Sequence, residues 1–452
     1  MAENSSVTIP ANMSYREFWQ RVIPSILIYL GISLYGVVDS FLIDVFVNET
    51  AIAATNIFLP VNALFVGLGY MIGTGANAEI MKVQGGKNPA KAQNLYSQII
   101  TSVLIIGIGI PVLLYFFQTP VTVFLGMTQE NAVYVRDYYR ICVCFMPTLM
   151  FSSVMNLLLI GEGKIVLVTV LETLGGLTNC ILDYIFMKYF LMGISGAALA
   201  TGIGYLLQSI LVVLFVRKES VYRFRPASIN LKELFGILFN GVSELLSSVS
   251  TGIVTIILNH LSGIFWGAVG LSVVCVISNI SYIVTAVFMG FVVVVEPMIA
   301  YFYGAKNWTQ IRKLMRKSLL IIAILSLVIF AGIFVGKGMI ASVFFKQDTE
   351  YYKLAVDALG ICSAAFLFTG FNQFVSGLFT AFSNGKVSGG FSLMRSLIIY
   401  TLTIFILTSI FGSRGMFPSM VISELISSGV GAVLIMMVRV SNPPENDNMS
   451  SN

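Results

Sequence analysis

From residue 22 onward the chain is a succession of long apolar blocks separated by short polar connections. The blocks fall at 22–46, 53–81, 95–117, 134–159, 165–187, 197–216, 238–261, 269–295, 318–336, 355–381, 388–411 and 416–438. A helix needs about 20 apolar residues to cross a hydrocarbon layer ~30 Å thick, and the blocks have that length. The stretch SLLIIAILSLVIFAGIFVG (318–336) is apolar on every face. Barrel strands would instead alternate apolar and polar positions in runs of roughly ten. The pattern predicts an all-α membrane protein of about twelve transmembrane helices. The opening MAENSSVTIPANMSYREFWQRVIPS is polar and lacks the layout of a removable signal peptide, so the first span is expected to act as its own uncleaved insertion signal.

The polar connections contain a repeat. QGGKNPAKAQNLYSQ from Gln84 matches YGAKNWTQIRKLMRKS from Tyr303, with Lys87 and Lys306 219 positions apart. GISGAALATGIGYLLQS from Gly193 matches GSRGMFPSMVISELISS from Gly412 at the same offset, and Gly163-Lys164 is paired with Gly385-Lys386 at 222. Each unit holds about six spans, an even number, so both enter from the same side as parallel repeats. The expected domains are an N-terminal six-helix lobe (1–216), a basic linker with a short surface helix (217–236), a C-terminal six-helix lobe (237–438) and a polar tail (439–452). Two similar bundles enclosing a central cavity that opens to either side is the geometry of alternating access.

Composition agrees with a lipid environment. Of the 452 residues 57% are hydrophobic and 10% are charged, whereas a soluble domain carries about 25% charge. Lys and Arg concentrate after even-numbered spans, as in Lys82, Lys87 and Lys91, in Arg217–Lys232, and in Lys306–Lys317. By the positive-inside rule both termini should be cytoplasmic. That asymmetry accounts for the net charge of +5 without a nucleic-acid partner. The expected partners are the bilayer and small organic substrates, with the monomer as the functional unit.

Ionisable groups inside a bilayer are costly and tend to face a wet cavity or a partner. Asp39 lies deep in the first span; Asn179 and Asp183 lie one turn apart on the fifth, with Glu172 two turns earlier on that face. Thr201 starts the sixth. Asp39 and Asp183 each lie roughly 26 Å along their helices, and Thr201 falls at a similar depth because its span runs the other way. Two carboxylates, an amide and a hydroxyl are hard oxygen ligands suited to Na⁺, and neighbouring carboxylates also raise each other's proton affinity. Asp39, Asn179, Asp183 and Thr201 are therefore the candidate coupling site, with Asp39, Asn179 and Asp183 as Na⁺ ligands. The competing reading is interhelical hydrogen bonds that only lock the bundle. Glu172, Glu244, Arg395 and Glu424 are candidates for substrate contact or gating: Glu244 could pair with Arg395, and Glu424 could meet a cationic substrate. Asp44 and Glu296 are expected at helix ends, in reach of water. The 20 Met, 34 Phe and 19 Tyr could supply an adaptable surface for apolar or cationic ligands.

Other chemistries lack their motifs. There is no GxxxxGK[ST] phosphate loop, no HExxH and no GxSxG, and the five cysteines and single histidine have no metal spacing. The expectation is a secondary transporter rather than an enzyme, with no cofactor beyond a transported Na⁺ or H⁺.

Four segments then resemble the multidrug and toxic compound extrusion (MATE) family: LYGVVDSFLID (34–44) with the following AIAATNIFLPVNALFVGLGYMIGTG, TNCILDYIFMKYFLMGISGAALAT (178–201), EPMIAYFYGAKN (296–307) and FTAFSNGKVSGGFSLMRS (379–396). The chain is most similar to bacterial members with an acidic residue in the first helix. The resemblance implies two six-helix lobes in a V and export of cationic or amphipathic compounds in exchange for Na⁺ or H⁺. It also implies a first-lobe cation site whose positions are matched by Asp39, Asn179, Asp183 and Thr201. Asp44, Glu296 and the loop LSGIFWGAVG (261–270) depart from the family pattern. Two alternatives stand beside the antiporter. A lipid-linked saccharide flippase of related architecture would need a cavity ringed with Arg or Lys, and a membrane scaffold or sensor would need no converging polar residues.

Overall fold

The computed structural model describes residues 15–441 apart from 48, 126, 128, 130, 131 and 226, and the side chains of these except 15, 32–41, 44, 45, 49–54, 56, 219 and 439–441. The beginning of the chain and most of the expected polar tail lie outside the described residues, as do the side chains of Asp39 and Asp44.

Among the described residues the regular structure is helical throughout, and twelve long helical passes are present. They are α1 Tyr15–Phe46, α2 Glu49–Gly85, α3 Pro89–Phe116, α4 Ala132–Gly161, α5 Ile165–Lys188, α6 Ile194–Glu219, α7 242–266, α8 268–304, α9 Trp308–Phe344, α10 Glu350–Ala381, α11 385–411 and α12 Met416–Ser441. Two short helices, Gln118–Phe124 and Leu231–Asn240, lie between passes. The first was not anticipated; the second is the helix expected in the linker, set in place by Asn230 Oδ1 accepting from the Lys232 and Glu233 N–H groups.

Most helices overshoot their apolar blocks. α9 starts ten residues before the block at 318, and α8 runs to Gly304, past the block's end at 295. Hydrophobicity reports the thickness of the lipid, whereas the helix ends where a cap stops it. Between α7 and α8 the expected loop is reduced to one residue, Gly267, at φ 57° and ψ −137°, with helix on both sides.

The repeat is written in the backbone. Gly193 and Gly412 share one unusual conformation, φ 57°/ψ −138° and φ 59°/ψ −140°. Lys87 and Lys306, also 219 apart, both have positive φ (59° and 55°). Each closes a helix by the same 6→1 bond, Asn88 N–H to Val83 O at 3.2 Å and Asn307 N–H to Phe302 O at 2.9 Å. The third pairing needs correction. Gly163 shares its positive φ with Ser383, and the bonds Lys164 N–H to Leu159 O and Asn384 N–H to Phe379 O correspond, both at 2.9 Å. The register there is 220, because the backbone turn is conserved in place while the Gly-Lys dipeptide is not.

The lobes meet where α1 and α2 pack on α7 and α8. The seam is pseudo-symmetric: a Cβ at Gly85 would overlap the Tyr301 carbonyl oxygen, and a Cβ at Gly304, 219 positions on, would overlap that of Lys82. Only glycine lets the two backbones approach so closely. Beside this contact Ser383 Oγ donates to Glu79 Oε2 (2.9 Å), while Lys82 Nζ donates to both Glu79 Oε2 (2.9 Å) and Ser383 Oγ (3.0 Å). Both features lie at the basic end of the molecule.

Candidate functional site

Among the described residues each lobe carries a large cavity. The first, about 330 Å³, is lined from α1, α2, α4, α5 and α6, and the second, about 310 Å³, from α7, α8, α10, α11 and α12. They share no lining residue but occupy repeat-related places: Tyr29 and Ser248, Phe58 and Ile277, Tyr70 and Met289, and Tyr205 and Glu424 are each 219 apart and line their respective cavities.

In the first cavity the amphipathic reading of α5 holds for its polar face. Glu172 and Asn179 both line the cavity, and Thr201 joins them from α6. Asn179 Nδ2 donates to Thr201 Oγ1 at 3.2 Å, linking the two helices. Their approach is set by glycine, since a Cβ at Gly204 would stand 3.1 Å from the Gly175 carbonyl oxygen. Asp183, one turn beyond Asn179, is fully buried and does not line the cavity. Glu172 Oε1 accepts from Asn156 Nδ2 of α4 at 2.7 Å. A small annex of about 20 Å³ opens beside Glu172, Gly175, Gly176, Asn179, Thr201 and Tyr205. The Asp39 side chain lies outside the described residues, so the structure gathers Asn179 and Thr201 directly and Asp183 by helical adjacency. Among the described residues no three His, Cys, Asp or Glu side chains cluster as a metal site.

In the second cavity Glu244, Arg395 and Glu424 are all lining residues. The sequence suggested that Glu244 could pair with Arg395; the ion pair within 4 Å is Arg395 Nη1 to Glu424 Oε1, at 3.8 Å, and Glu244 is a longer-range electrostatic neighbour of the same guanidinium. Arg395 Nη2 also donates to Gln373 Oε1 at 3.0 Å, and Glu424 Oε2 accepts from Asn372 Nδ2 at 2.6 Å. Arg395 sits on a π-helical turn, Met394–Ile399, inside α11. Such turns re-aim side chains and recur at functional sites. Its backbone geometry has no hydropathy signature, so the contact with Glu424 was not anticipated. Glu296 was expected at a helix end within reach of water, but it is 5% exposed. α8 continues past it, and a Cβ at Gly377 of α10 would stand 3.4 Å from Glu296 Oε2.

Asn156, Asn372 and Gln373 were not singled out from the sequence, although each is a buried amide inside an apolar block, the signal that pointed to Asn179. Five aromatic rings, Tyr29, Phe58, Tyr70, Tyr138 and Tyr205, line the first cavity together with its polar groups.

Comparison with known proteins agrees with this architecture. The family model MatE matches residues 24–185 and 241–406, one match in each lobe. The multidrug export protein MepA of Staphylococcus aureus (strain NCTC 8325 / PS 47) is 23% identical over 424 residues, 90% of each chain. The crystal structure of MATE in the straight conformation superposes with a TM-score of 0.89 at 22% identity, covering 94% of this chain and 96% of that one. An outward-facing multidrug resistance MATE transporter of the MOP superfamily gives 0.88 at 21% identity, with coverage of 94% and 96%.

Proposed function

Because this chain belongs to the MATE family of membrane transporters, we propose that it exports cationic or amphipathic organic compounds across the cytoplasmic membrane in exchange for Na⁺ or H⁺. The observation that carries this reading is the first cavity, where the carboxylate of Glu172 and the Asn179–Thr201 pair sit inside an aromatic wall within a lobe that must cross lipid. A buried carboxylate facing a cavity attracts a cation, and aromatic faces add cation–π and apolar contact. The coupling ion binds at Asp39, Asn179, Asp183 and Thr201 and drives the lobe between two packings, releasing substrate to the outer side. Both termini are cytoplasmic, as the Lys and Arg asymmetry of the loops indicates, and the monomer suffices because each chain carries both lobes.

A flippase for phosphate-bearing lipids is disfavoured by charge. Arg395 is the one Lys or Arg among the described residues that line either cavity.

The test is flux in proteoliposomes with Na⁺ and pH gradients imposed separately. Accumulation of an organic cation driven by one of the gradients is expected. Dye movement that ignores both gradients would contradict exchange.

A further inference from the structure

The cavities correspond by repeat, yet their charges do not. Glu424 stands where the first lobe has Tyr205, and Arg395 falls on the place of the Gly175–Gly176 pair. In the first lobe those glycines and Tyr205 help line an annex of about 20 Å³. In the second lobe the matching region is filled by the guanidinium of Arg395 facing Glu424. A carboxylate and a fixed cation stand in place of a tyrosine and a glycine pair.

The guanidinium is tied down. It is 9% exposed, donates to Gln373 Oε1 at 3.0 Å and faces Glu424 at 3.8 Å, while Glu424 is itself held by Asn372 Nδ2 at 2.6 Å. Its Nε–H has no hydrogen-bond partner although it is buried against the cavity. A buried donor of that kind is satisfied by water or a bound ligand. Glu244, across the cavity on α7, is half-buried, and among the described residues its carboxylate is in no ion pair within 4 Å; Arg395 is its longer-range electrostatic partner. Two carboxylates and one guanidinium leave a net single negative charge in the cavity, and Glu244 is the carboxylate outside contact range of the guanidinium.

We propose that Arg395 sets the charge specificity of the second cavity: as a tethered counter-cation it cancels Glu424, so that the cavity receives organic monocations, with the positive group at Glu244, in preference to dications. The aromatic and hydroxyl lining, including Tyr282, Tyr400, Phe417 and Ser278, suits a flat amphipathic ligand. An added dicationic charge would meet the guanidinium at close range in a low-dielectric cavity, where repulsion is strong. The inference rests on the reading of the chain as an exporter of organic cations and adds which charge type the second lobe admits.

Ethidium and propidium share one ring system and carry one and two fixed positive charges. Their equilibrium binding to the full-length protein in nanodiscs, at one fixed pH for all variants, is the test. Wild type is expected to favour ethidium, and Arg395→Gln to shift the ethidium-to-propidium affinity ratio toward propidium by roughly tenfold or more. Arg395→Lys, which keeps the charge, should retain the wild-type ratio, and Glu244→Gln should lower the affinity for both dyes. An unchanged ratio in Arg395→Gln, a shifted ratio in Arg395→Lys, or undiminished binding in Glu244→Gln overturns the proposal, as does failure of wild type to discriminate. Gradient-driven flux by the same wild-type preparation tests the exporter reading separately, so a loss of charge discrimination with intact flux counts against this inference alone.

Discussion

Asn179 and Thr201 lie 22 residues apart in sequence and 3.2 Å apart in space. An interhelical hydrogen bond in a membrane contributes only about 0.6 kcal/mol on average, so structure alone gives weak reason to bury this pair in a cavity wall. Thr201→Val keeps the shape and removes the hydroxyl. It should cost about 1 kcal/mol of stability at most while raising the Na⁺ or H⁺ concentration needed for half-maximal export severalfold. A change in melting temperature without a change in cation dependence would make the bond purely structural. Lys306 offers an independent check of the backbone account. It holds a left-handed conformation (φ 55°) that L-residues, unlike achiral glycine, adopt at a cost of roughly 1 kcal/mol. Lys306→Gly should therefore raise the melting temperature measured in detergent, and a fall would contradict the assigned strain. At this scale the sequence made Asn179, Thr201, Glu172, Glu244 and Glu424 visible because a polar residue inside an apolar block stands out. It could not show that Arg395 turns to Glu424, since that depends on the π-helical turn at Met394–Ile399.

Helices are where lipid thickness and packing part company. Apolar length located all twelve passes, because the bilayer imposes it on each. It failed at their ends: Glu296 was read as an end residue, but α8 carries on to Gly304 and buries it. The end of α6 is fixed by a different device. Glu162, in the turn between α4 and α5, accepts from Ser220 Oγ (2.7 Å) and from the Val221 N–H (2.9 Å). Burial raises its carboxyl above the ordinary 4.5, opposed by these two bonds and by Lys164. The folded protein thus holds the proton more tightly than the unfolded chain does. The associated stability is full below the ordinary value and is lost as pH rises through the raised one. Thermal unfolding of wild type and Glu162→Gln across the interval upward from the ordinary carboxylate range should show the wild type losing stability and the variant staying flatter. Parallel curves would remove Glu162 from the pH response.

For the molecule as a whole, the repeat was readable from two of three short matches, and its constancy comes from turns and caps that the backbone requires in both halves. What could not be read was the seam between lobes, because glycines reveal close contact only once their neighbours are known. Gly85 and Gly304 bring α2 and α8 together at the basic end. Gly304→Leu should pry this end apart, seen as increased labelling of a cysteine placed beside Glu79, with little change at the opposite end. Unaltered labelling would mean that the seam tolerates bulk and does not gate access. The proposed exchange mechanism places its coupling ion at the carboxylate of Asp183, fully buried one turn from the Asn179–Thr201 pair. Its most direct test is simultaneous measurement of organic-cation export and inorganic-cation entry in vesicles containing wild type or Asp183→Asn. Wild type should show the two fluxes in fixed proportion, and the variant should lose both while inserting normally. Full gradient-driven export by Asp183→Asn would contradict the account.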